Sequence, residues 1–538
     1  MRIEVQLPDG TRELVLTQDQ ARRSLAQILR GHDLALNTRC GEKDMCAGCL
    51  VELVRGTLEH ADGTSLTVSR GDSVEVRGCR YRPTGEFAAI RIPQRSRLAY
   101  APQVLDSYRI NVPYAHDPLA ADGLGIAVDV GTTTVALQAV DLATGEIVGK
   151  ASGFNRQMHF GDDVLTRINL CATDPAMLGR MQASLVEQTL RPLVRQAVGD
   201  PERVVGYTVA GNTTMLHLLV GEDPSPMGVA PFAPRFLSRE PFQAERIGLE
   251  PAGAFVRLLP SIGAYIGADI AAGAFASGLL YDDGPSLLVD VGTNGEILLR
   301  DVGRTSACAT AAGPAFEGSG LSGGIRAGEG AISRIAMGTD PFCVQWEKIG
   351  PRALKPTGIC GSGYVDMLAE GRRCGLLGAT GRFQALDGLD EHVVDTPHGQ
   401  AVRVAWGQGK RPILVSEADV ARLLQAKAAI AAGILTLLRR HGLTPSDVRT
   451  LYLAGGFGMH LDLRNAIACG LLPGFTIPQI ELVGNTSLAG ATLALLDRNT
   501  LAELERVRDG VEVVELNLDP GFEDAYLDQL QLPNRPAP

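Results

Sequence analysis

The sequence has no surplus of positive charge: 50 Lys and Arg stand against 61 Asp and Glu, a net charge of −11. Nucleic-acid binders need basic stripes to meet phosphates, so this balance argues against that class and leaves docking on a basic protein face open. It also lacks an apolar run approaching the roughly 20 residues of a membrane span. The N-terminal Met1-Arg2-Ile3-Glu4-Val5 alternates apolar and charged residues as a strand does, so no signal peptide is read there and a cytoplasmic location is expected. What remains is the make-up of a globular protein, 45% apolar and 21% charged, with 538 residues for three or four domains. Ten cysteines in such a chain point to ligation or chemistry rather than disulfides, and Cys40, Cys46, Cys49 and Cys79 all fall near one end.

The chain turns on Asp129-Val130-Gly131-Thr132-Thr133-Thr134, which ends the apolar run Ile126-Ala127-Val128. Asp290-Val291-Gly292-Thr293-Asn294-Gly295 repeats the pattern after Leu287-Leu288-Val289, roughly 160 residues on. Each reads as strand, tight turn, strand. Glycine lets a backbone approach a phosphate, turn N–H groups make an anion nest, Thr hydroxyls add donors, and Asp can hold Mg²⁺ directly or through water. Two unrelated hairpins are the plain alternative, because Asp and Gly are common in turns. A second echo favours duplication: a short apolar strand ends in Ala210-Gly211-Asn212-Thr213-Thr214 after the first copy and in Ala454-Gly455-Gly456-Phe457-Gly458 after the second. Repetition of this kind predicts two related α/β halves facing each other across a cleft.

Residues 1–90 read as a small β-rich domain. Ile3–Leu7 and Glu13–Leu16 flank the turn Pro8-Asp9-Gly10, and a helix is predicted from Gln20 to Arg30. The cysteines follow as C-x5-C-x2-C (Cys40, Cys46, Cys49), with Cys79 about thirty residues later. Plant-type [2Fe–2S] ferredoxins use C-x4-C-x2-C and a distant fourth cysteine; the longer first gap matches adrenodoxin-like relatives. Gly41, Ala47 and Gly48 suit a loop whose N–H groups must reach sulfurs. Zinc is the alternative, but zinc sites usually pair two short cysteine hooks.

Residues 91–122, with Pro93, Pro102, Pro113 and Pro118, are expected to be a linker, either a joint or a connector packed on its neighbour. Residues 123–206 are expected to form the first α/β subdomain, and 207–538 a large region holding the second phosphate turn and the Gly455-Gly456 turn. Asp162-Asp163 is read first as a helix cap. Gly267-Ala268-Asp269 leads into an Ala/Gly-rich helix, Ile270 to Leu280, read as structural. Gly318, Gly320 and Gly323 match G-x-G-x-x-G without following a strand of a βαβ unit, so a cleft loop is preferred to a dinucleotide site. Thr357-Gly358-Ile359-Cys360-Gly361-Ser362-Gly363 opens a helix with its N–H groups free for an anion, and the role of Cys360 is left open.

Paired Asp-Gly-Thr turns and a later Gly-Gly turn resemble the superfamily of actin, sugar kinases and Hsp70. With the four-cysteine set, the Ala210–Met215 and Pro356–Gly363 stretches and the Ala454–Gly458 turn, nearly the whole chain resembles the reductive activators of corrinoid-dependent methyltransferase systems. The branch of that family with C-terminal cysteine pairs for [4Fe–4S] clusters is set apart, since the last cysteine here is Cys469. The resemblance implies a multidomain α/β protein: an N-terminal β-grasp ferredoxin-like domain, then a duplicated RNase H-like ATPase fold. It implies ATP-dependent one-electron reduction of inactive Co(II) cobalamin to Co(I) on a partner corrinoid protein, fed by an upstream reductase or ferredoxin; a homodimer is one assembly it allows. Cys40, Cys46, Cys49 and Cys79 would hold a [2Fe–2S] cluster. Gly131, Thr132, Thr133, Gly292, Thr293 and Asn294 would cradle the phosphates of ATP, Asp129 and Asp290 would organise Mg²⁺ and the attacking water, and Gly455 and Gly456 would border the adenosine. The rivals are a small-molecule kinase of the same fold, an electron pump for another low-potential enzyme, and a redox-sensing module in which the ATPase fold is a switch.

Overall fold

The computed structural model describes residues 1–7, 10–32, 34, 36, 38, 49–69, 71–93, 96, 107–339, 341–396, 399–456 and 461–534. Cys40 and Cys46, with Gly41, Ala47 and Gly48, lie outside the described residues, as do Pro8, Asp9, residues 94–95 and 97–106 of the expected linker, Phe457, Gly458 and the last four positions. The chain forms two compact units: Met1–Ala101 with the short pieces Met158–Asp162 and Ser319–Ser322, and the remainder from Pro102 on.

The first unit carries β1 (Arg2–Leu7), β2 (Gly10–Val15), β3 (Leu50–His60), β4 (Ser65–Val68), β5 (Val74–Arg77) and β6 (Tyr81–Arg91). They form one sheet in the order β2-β1-β6-β3-β4, with β5 paired on β3. β1 runs parallel to β6, and the other pairings are antiparallel. The helical stretch between β2 and β3 is two helices rather than the single Gln20–Arg30 helix expected: α1 (Gln18–Ala21) and α2 (Leu25–Arg30). Ser24 is the reason. It sits in an extended conformation and accepts from the Gln27 N–H at 3.3 Å, so it caps a new helix instead of continuing the old one. Leu25, Ile28 and Leu29 on α2 then bury against Ile3, Val5, Leu53 and Ile90 of the sheet, an apolar core of the size such a small domain needs.

The second unit opens with β7 (Leu124–Val130), β8 (Thr134–Asp141) and β9 (Ile147–Phe154), then helices α3 (Val164–Thr173), α4 (Ala176–Leu185) and α5 (Arg191–Val198). β10 (Val204–Gly211), α6 (Thr213–Val220), β11 (Phe242–Gln243), β12 (Phe255–Leu258) and α7 (Ala268–Ala276) follow. The sheet order is β11-β12-β10-β7-β8-β9. The expected boundary at 206 therefore falls inside β10, and the sheet is completed only by β12. The physical reason is strand direction: a strand parallel to β7 can be reached only by a long crossover, so the half cannot close near its own hairpins.

The second half repeats the plan. β13 (Ser286–Val291), β14 (Gly295–Asp301) and β15 (Arg304–Thr310) form the antiparallel meander. Two small three-stranded sheets are inserted next: β16 (Ala331–Thr339), β17 (Phe342–Lys348) and β18 (Gly358–Ile359), then, after α8 (Gly361–Cys374), β19 (Val393–Thr396), β20 (Gly399–Trp406) and β21 (Pro412–Ser416). α9 (Glu417–Arg440), β22 (Thr450–Ala454), α10 (Leu463–Ala468), β23 (Ile480–Gly484), α11 (Thr486–Leu496) and β24 (Val511–Val513) complete it, in the order β23-β22-β13-β14-β15-β24. In both halves the fourth strand lies parallel to the first (β10 to β7, β22 to β13).

Helix α9 begins at a reciprocal capping box of Ser416 and Asp419, with the Asp419 N–H donating to the Ser416 hydroxyl at 3.2 Å. The helix is long and apolar enough to cross a membrane, although no apolar run of that length was expected. It is instead a core helix: 78% of its most apolar window is buried in the fold. Of the expected linker, Arg91 ends β6 and the Ile92 N–H donates to the Gln6 carbonyl at 3.0 Å in the first unit, whereas residues 107–122 are an ordered connector pinned to the second. The N–H groups of Arg109, Asn111, Asp117 and Leu119 donate to the carbonyls of Val483, Ala276, Leu496 and Leu495 at 2.9–3.1 Å.

Candidate active site

The two Asp-Gly-Thr turns close the meanders at β7–β8 and β13–β14 and face one cleft. Asp129, Gly131, Thr132, Thr133, Asp290, Gly292, Thr293, Asn294, Gly455 and Gly456, the ten cleft residues singled out from sequence, all line it. The turns touch: the Thr133 and Thr293 hydroxyls are 3.2 Å apart, and Thr293 donates to Glu317 at 2.5 Å. The first turn is braced from behind. Asn155 donates to the Gly131 carbonyl at 2.9 Å, and the fully buried Arg167 donates to the Thr132 carbonyl at 2.6 Å. Asp163 caps α3, which delivers Arg167, accepting from the Thr166 N–H at 2.7 Å. The fourth strand of each half ends in a glycine pressed on a turn. A Cβ at Gly211 would lie 2.6 Å from the Val130 carbonyl, and one at Gly455 would lie 2.5 Å from an Asp290 carboxylate oxygen.

The cleft is strongly acidic. Asp269 and Glu296 join the two aspartates; sequence reasoning passed over both. Glu296 pairs directly across from Asp290 on β14, where side chains share a face. That signal was present in the strand register. Asp269 stands at the start of α7, behind Gly267, where a structural reading of the Ala/Gly-rich helix hid it. Burial, then Asp129, push Asp290 up to about 7. Burial, then Asp290 and Asp129, push Asp269 up to about 7 as well. Glu296 is raised well above the usual carboxylate range by burial, then by Asp269 and Asp290. Asp129 is also raised by burial, although Ser487 and Asn485 donate to it at 2.8 and 2.9 Å and pull the other way. Buried acids crowded in this way either keep protons or take a cation. Among the described residues no three His, Cys, Asp or Glu side chains converge to metal-ligand distance. Carboxylate oxygens are the donors that a hard cation takes.

The anion side is provided by α8. Cys360 caps it, and Cys360, Gly361 and Ser362 line the cleft at its N-terminus. Cys360 is buried, its thiol donates to the Ile332 carbonyl at 3.3 Å, and burial raises its pKa, the reverse of a reactive thiolate. The G-x-G-x-x-G stretch is a loop, as expected, and its surroundings contribute Phe316, Glu317, Arg326 and Ala327 to the cleft.

Of the four cysteines expected to bind a cluster, Cys49 and Cys79 are described. Strands β3 and β5 pair with Leu50 opposite Arg77, and the Gly78 N–H donates to the Cys49 carbonyl at 2.9 Å. The two cysteines therefore flank the same end of one strand pair. A Cβ at Gly78 would meet the tip of the Leu36 side chain at 2.6 Å and the Cys49 carbonyl at 3.1 Å, so the turn is closely packed there.

The chain was compared with known proteins. Residues 124–282 match the family model described as the RACo middle region, and 284–537 match the C-terminal domain of RACo, the ASKHA domain. The corrinoid activation enzyme RamQ of Eubacterium limosum is 31% identical over 75% of this chain and 69% of its own. This chain belongs to the RACo family. The [Co(II) methylated amine-specific corrinoid protein] reductase of Methanosarcina barkeri is 28% identical over 73% of this chain and 72% of its own. A solved reductive activator for corrinoid, iron-sulfur protein superposes with a TM-score of 0.71 and 28% identity, over 99% of this chain and 98% of that one. In this RACo chain the ASKHA domain and the middle region are the two halves that meet at the acidic cleft.

Proposed function

We infer that this chain is an ATP-dependent reductive activator that returns the cobalt of a corrinoid protein from Co(II) to Co(I). The observation that carries the reading is the pair of matched Asp-Gly-Thr turns, 3.2 Å apart through Thr133 and Thr293, in a chain similar over nearly its full length to a corrinoid activator. The turns and the N-terminus of α8 receive the phosphates of ATP, while Asp290, Asp269 and Glu296 would hold Mg²⁺, which would offset phosphate charge. Asp129, kept in place by Asn485 and Ser487, would face the same ion from the first half. A cleft carboxylate takes the proton of the attacking water. Positioning provides most of the rate in this chemistry. Gly455 and Gly456 leave room for the adenosine.

The first unit serves as the electron carrier: a β-grasp, ferredoxin-like domain in which Cys40, Cys46, Cys49 and Cys79 hold a [2Fe–2S] cluster. The order β2-β1-β6-β3-β4 around a parallel β1–β6 pair, with Cys49 and Cys79 at one end of a strand pair, supports this. When bound, such a centre supplies one electron at a potential near roughly −400 mV. Each 100 mV by which Co(II)/Co(I) lies lower costs about 2.3 kcal/mol, which ATP hydrolysis offsets. The electron enters from a reductase or ferredoxin, and dependence on ATP places the protein in the cytoplasm.

The reading is tested by mixing the reduced protein with a Co(II) corrinoid protein and following the Co(I) absorbance. Co(I) should accumulate with Mg·ATP and not with a non-hydrolysable analogue. Equal reduction without nucleotide would refute the coupling. Cys46→Ala should abolish the [2Fe–2S] visible spectrum while nucleotide binding persists, and an unchanged spectrum would refute the cluster assignment.

A further inference from the structure

The charge inventory of the cleft is lopsided. Asp129, Asp269, Asp290, Glu296 and Glu317 line it, and Arg326 is the only basic side chain among its described lining residues. Mg²⁺ answers the carboxylates, but it does not answer the charge that spreads over phosphate oxygens as a phosphoryl group leaves. That charge needs a directed donor in a dry site, and a guanidinium offers five N–H groups in a planar fork.

We propose that Arg326 is the catalytic arginine of this ATPase site, contacting the terminal phosphate of the nucleotide, and that Glu317 and Phe154 hold it in reserve when no nucleotide is bound. The side chain is 9% exposed, with its guanidinium carbon 5.2 Å from the Phe154 ring centroid and its Nε 3.8 Å from Glu317. The aromatic face and the nearby carboxylate both attract the guanidinium at this position. The other Glu317 oxygen accepts from Thr293, which itself meets Thr133. Glu317 thus ties the arginine's resting place to both phosphate turns. When phosphate oxygens take up the two threonine hydroxyls, Glu317 loses its hydrogen bond and Arg326 gains a stronger anion within reach of its long, rotatable stem. In the reaction, a water oxygen bonds to the terminal phosphorus as the bond to the bridging oxygen of ADP breaks. The water's proton passes to a cleft carboxylate, the electron pair stays on ADP, and Arg326 faces the oxygens over which charge spreads.

The proposal rests on the ATPase reading, so its test separates the two. Calorimetry on the full-length protein would measure affinity for AMP-PNP, which resembles the ground state, and for ADP with aluminium fluoride, which resembles the transition state. Arg326→Ala should weaken the aluminium fluoride complex on the order of 100-fold, with a similar loss in kcat, while AMP-PNP affinity changes by less than about 5-fold. Arg326→Lys should recover only part of the loss, because a point charge lacks the fork. Glu317→Gln, which removes the resting partner's charge, should bind ADP with aluminium fluoride more tightly than the wild type. Equal weakening of both complexes by Arg326→Ala, or unchanged aluminium fluoride binding in either the Arg326→Ala or the Glu317→Gln variant, overturns the proposal. A wild-type protein that binds neither nucleotide overturns the ATPase reading itself.

Discussion

The middle region and the ASKHA domain share the order of five strands and differ at their aspartates. Asp129 is satisfied by Asn485 and Ser487 and faces Ala136 across its hairpin. Asp290 has no comparable pair of donors among the described contacts, and it faces a second acid, Glu296. The turns differ too. A Cβ at Gly131 would strike the Thr134 carbonyl at 2.5 Å, whereas at Gly292 it would meet only the Asn294 carbonyl at an ordinary 3.7 Å. Duplication produced two copies of a turn. One became a braced anchor, and the other kept its charge unsatisfied for the chemistry.

This contrast can be broken by exchange. Asp290→Asn should lower ATP turnover by on the order of 100-fold or more while nucleotide still binds, since it removes a carboxylate from the metal shell; a phosphate-release assay beside an AMP-PNP titration checks it. Full turnover would mean that the halves are not divided as described. Gly131→Ala should destabilise the protein by about 1–3 kcal/mol, because the turn must shift to admit a methyl group. Gly292→Ala should leave stability within about 0.5 kcal/mol, the usual range for a site with space. Denaturant melts of both variants decide the point, and equal losses would erase the asymmetry. If Gly292→Ala keeps its stability but loses nucleotide affinity, the methyl group is meeting the phosphate rather than the protein.

Acid titration sharpens the comparison. Asp269 and Asp290, both pushed up to about 7, bind protons more tightly folded than unfolded. The stability they confer is fully present below their unfolded values near 4 and is lost as pH rises through about 7. The ligand-free protein should therefore melt at a higher temperature at about pH 6 than at about pH 8, and Asp269→Asn should reduce that difference. Mg²⁺ with nucleotide should narrow it as well, since a cation replaces the protons. Ser487→Ala, which leaves one Asp129 oxygen without its donor, should cost about 1–3 kcal/mol and bring only a modest fall in turnover. An unchanged melt would show that this brace is dispensable.

Much of the site was legible because it is written in contiguous motifs. Gly131 to Thr133, Gly292 to Asn294 and Gly455-Gly456 each announce a turn by composition, and all three line the cleft. Asp163 as a cap was readable for the same reason: a cap is a contact between residues three apart. Ser24 shows the limit, since a helix-like composition on both sides concealed a new start. Asp269, Asn485, Ser487 and Arg326 were not legible. Each lies at a helix start or in a loop where polar residues are ordinary, and only the folding of distant segments gives them a partner.

From the sequence alone came the repeat, the cysteine spacing and the turn chemistry, because these depend on neighbours along the chain. The tertiary structure decided which carboxylates share one buried space. Asn485 and Ser487 reach Asp129 from more than 350 positions away, and Glu296 meets Asp269 only where the halves close. An acid's charge depends on the solvent and the other charges within a few ångströms, and a linear chain does not record those distances.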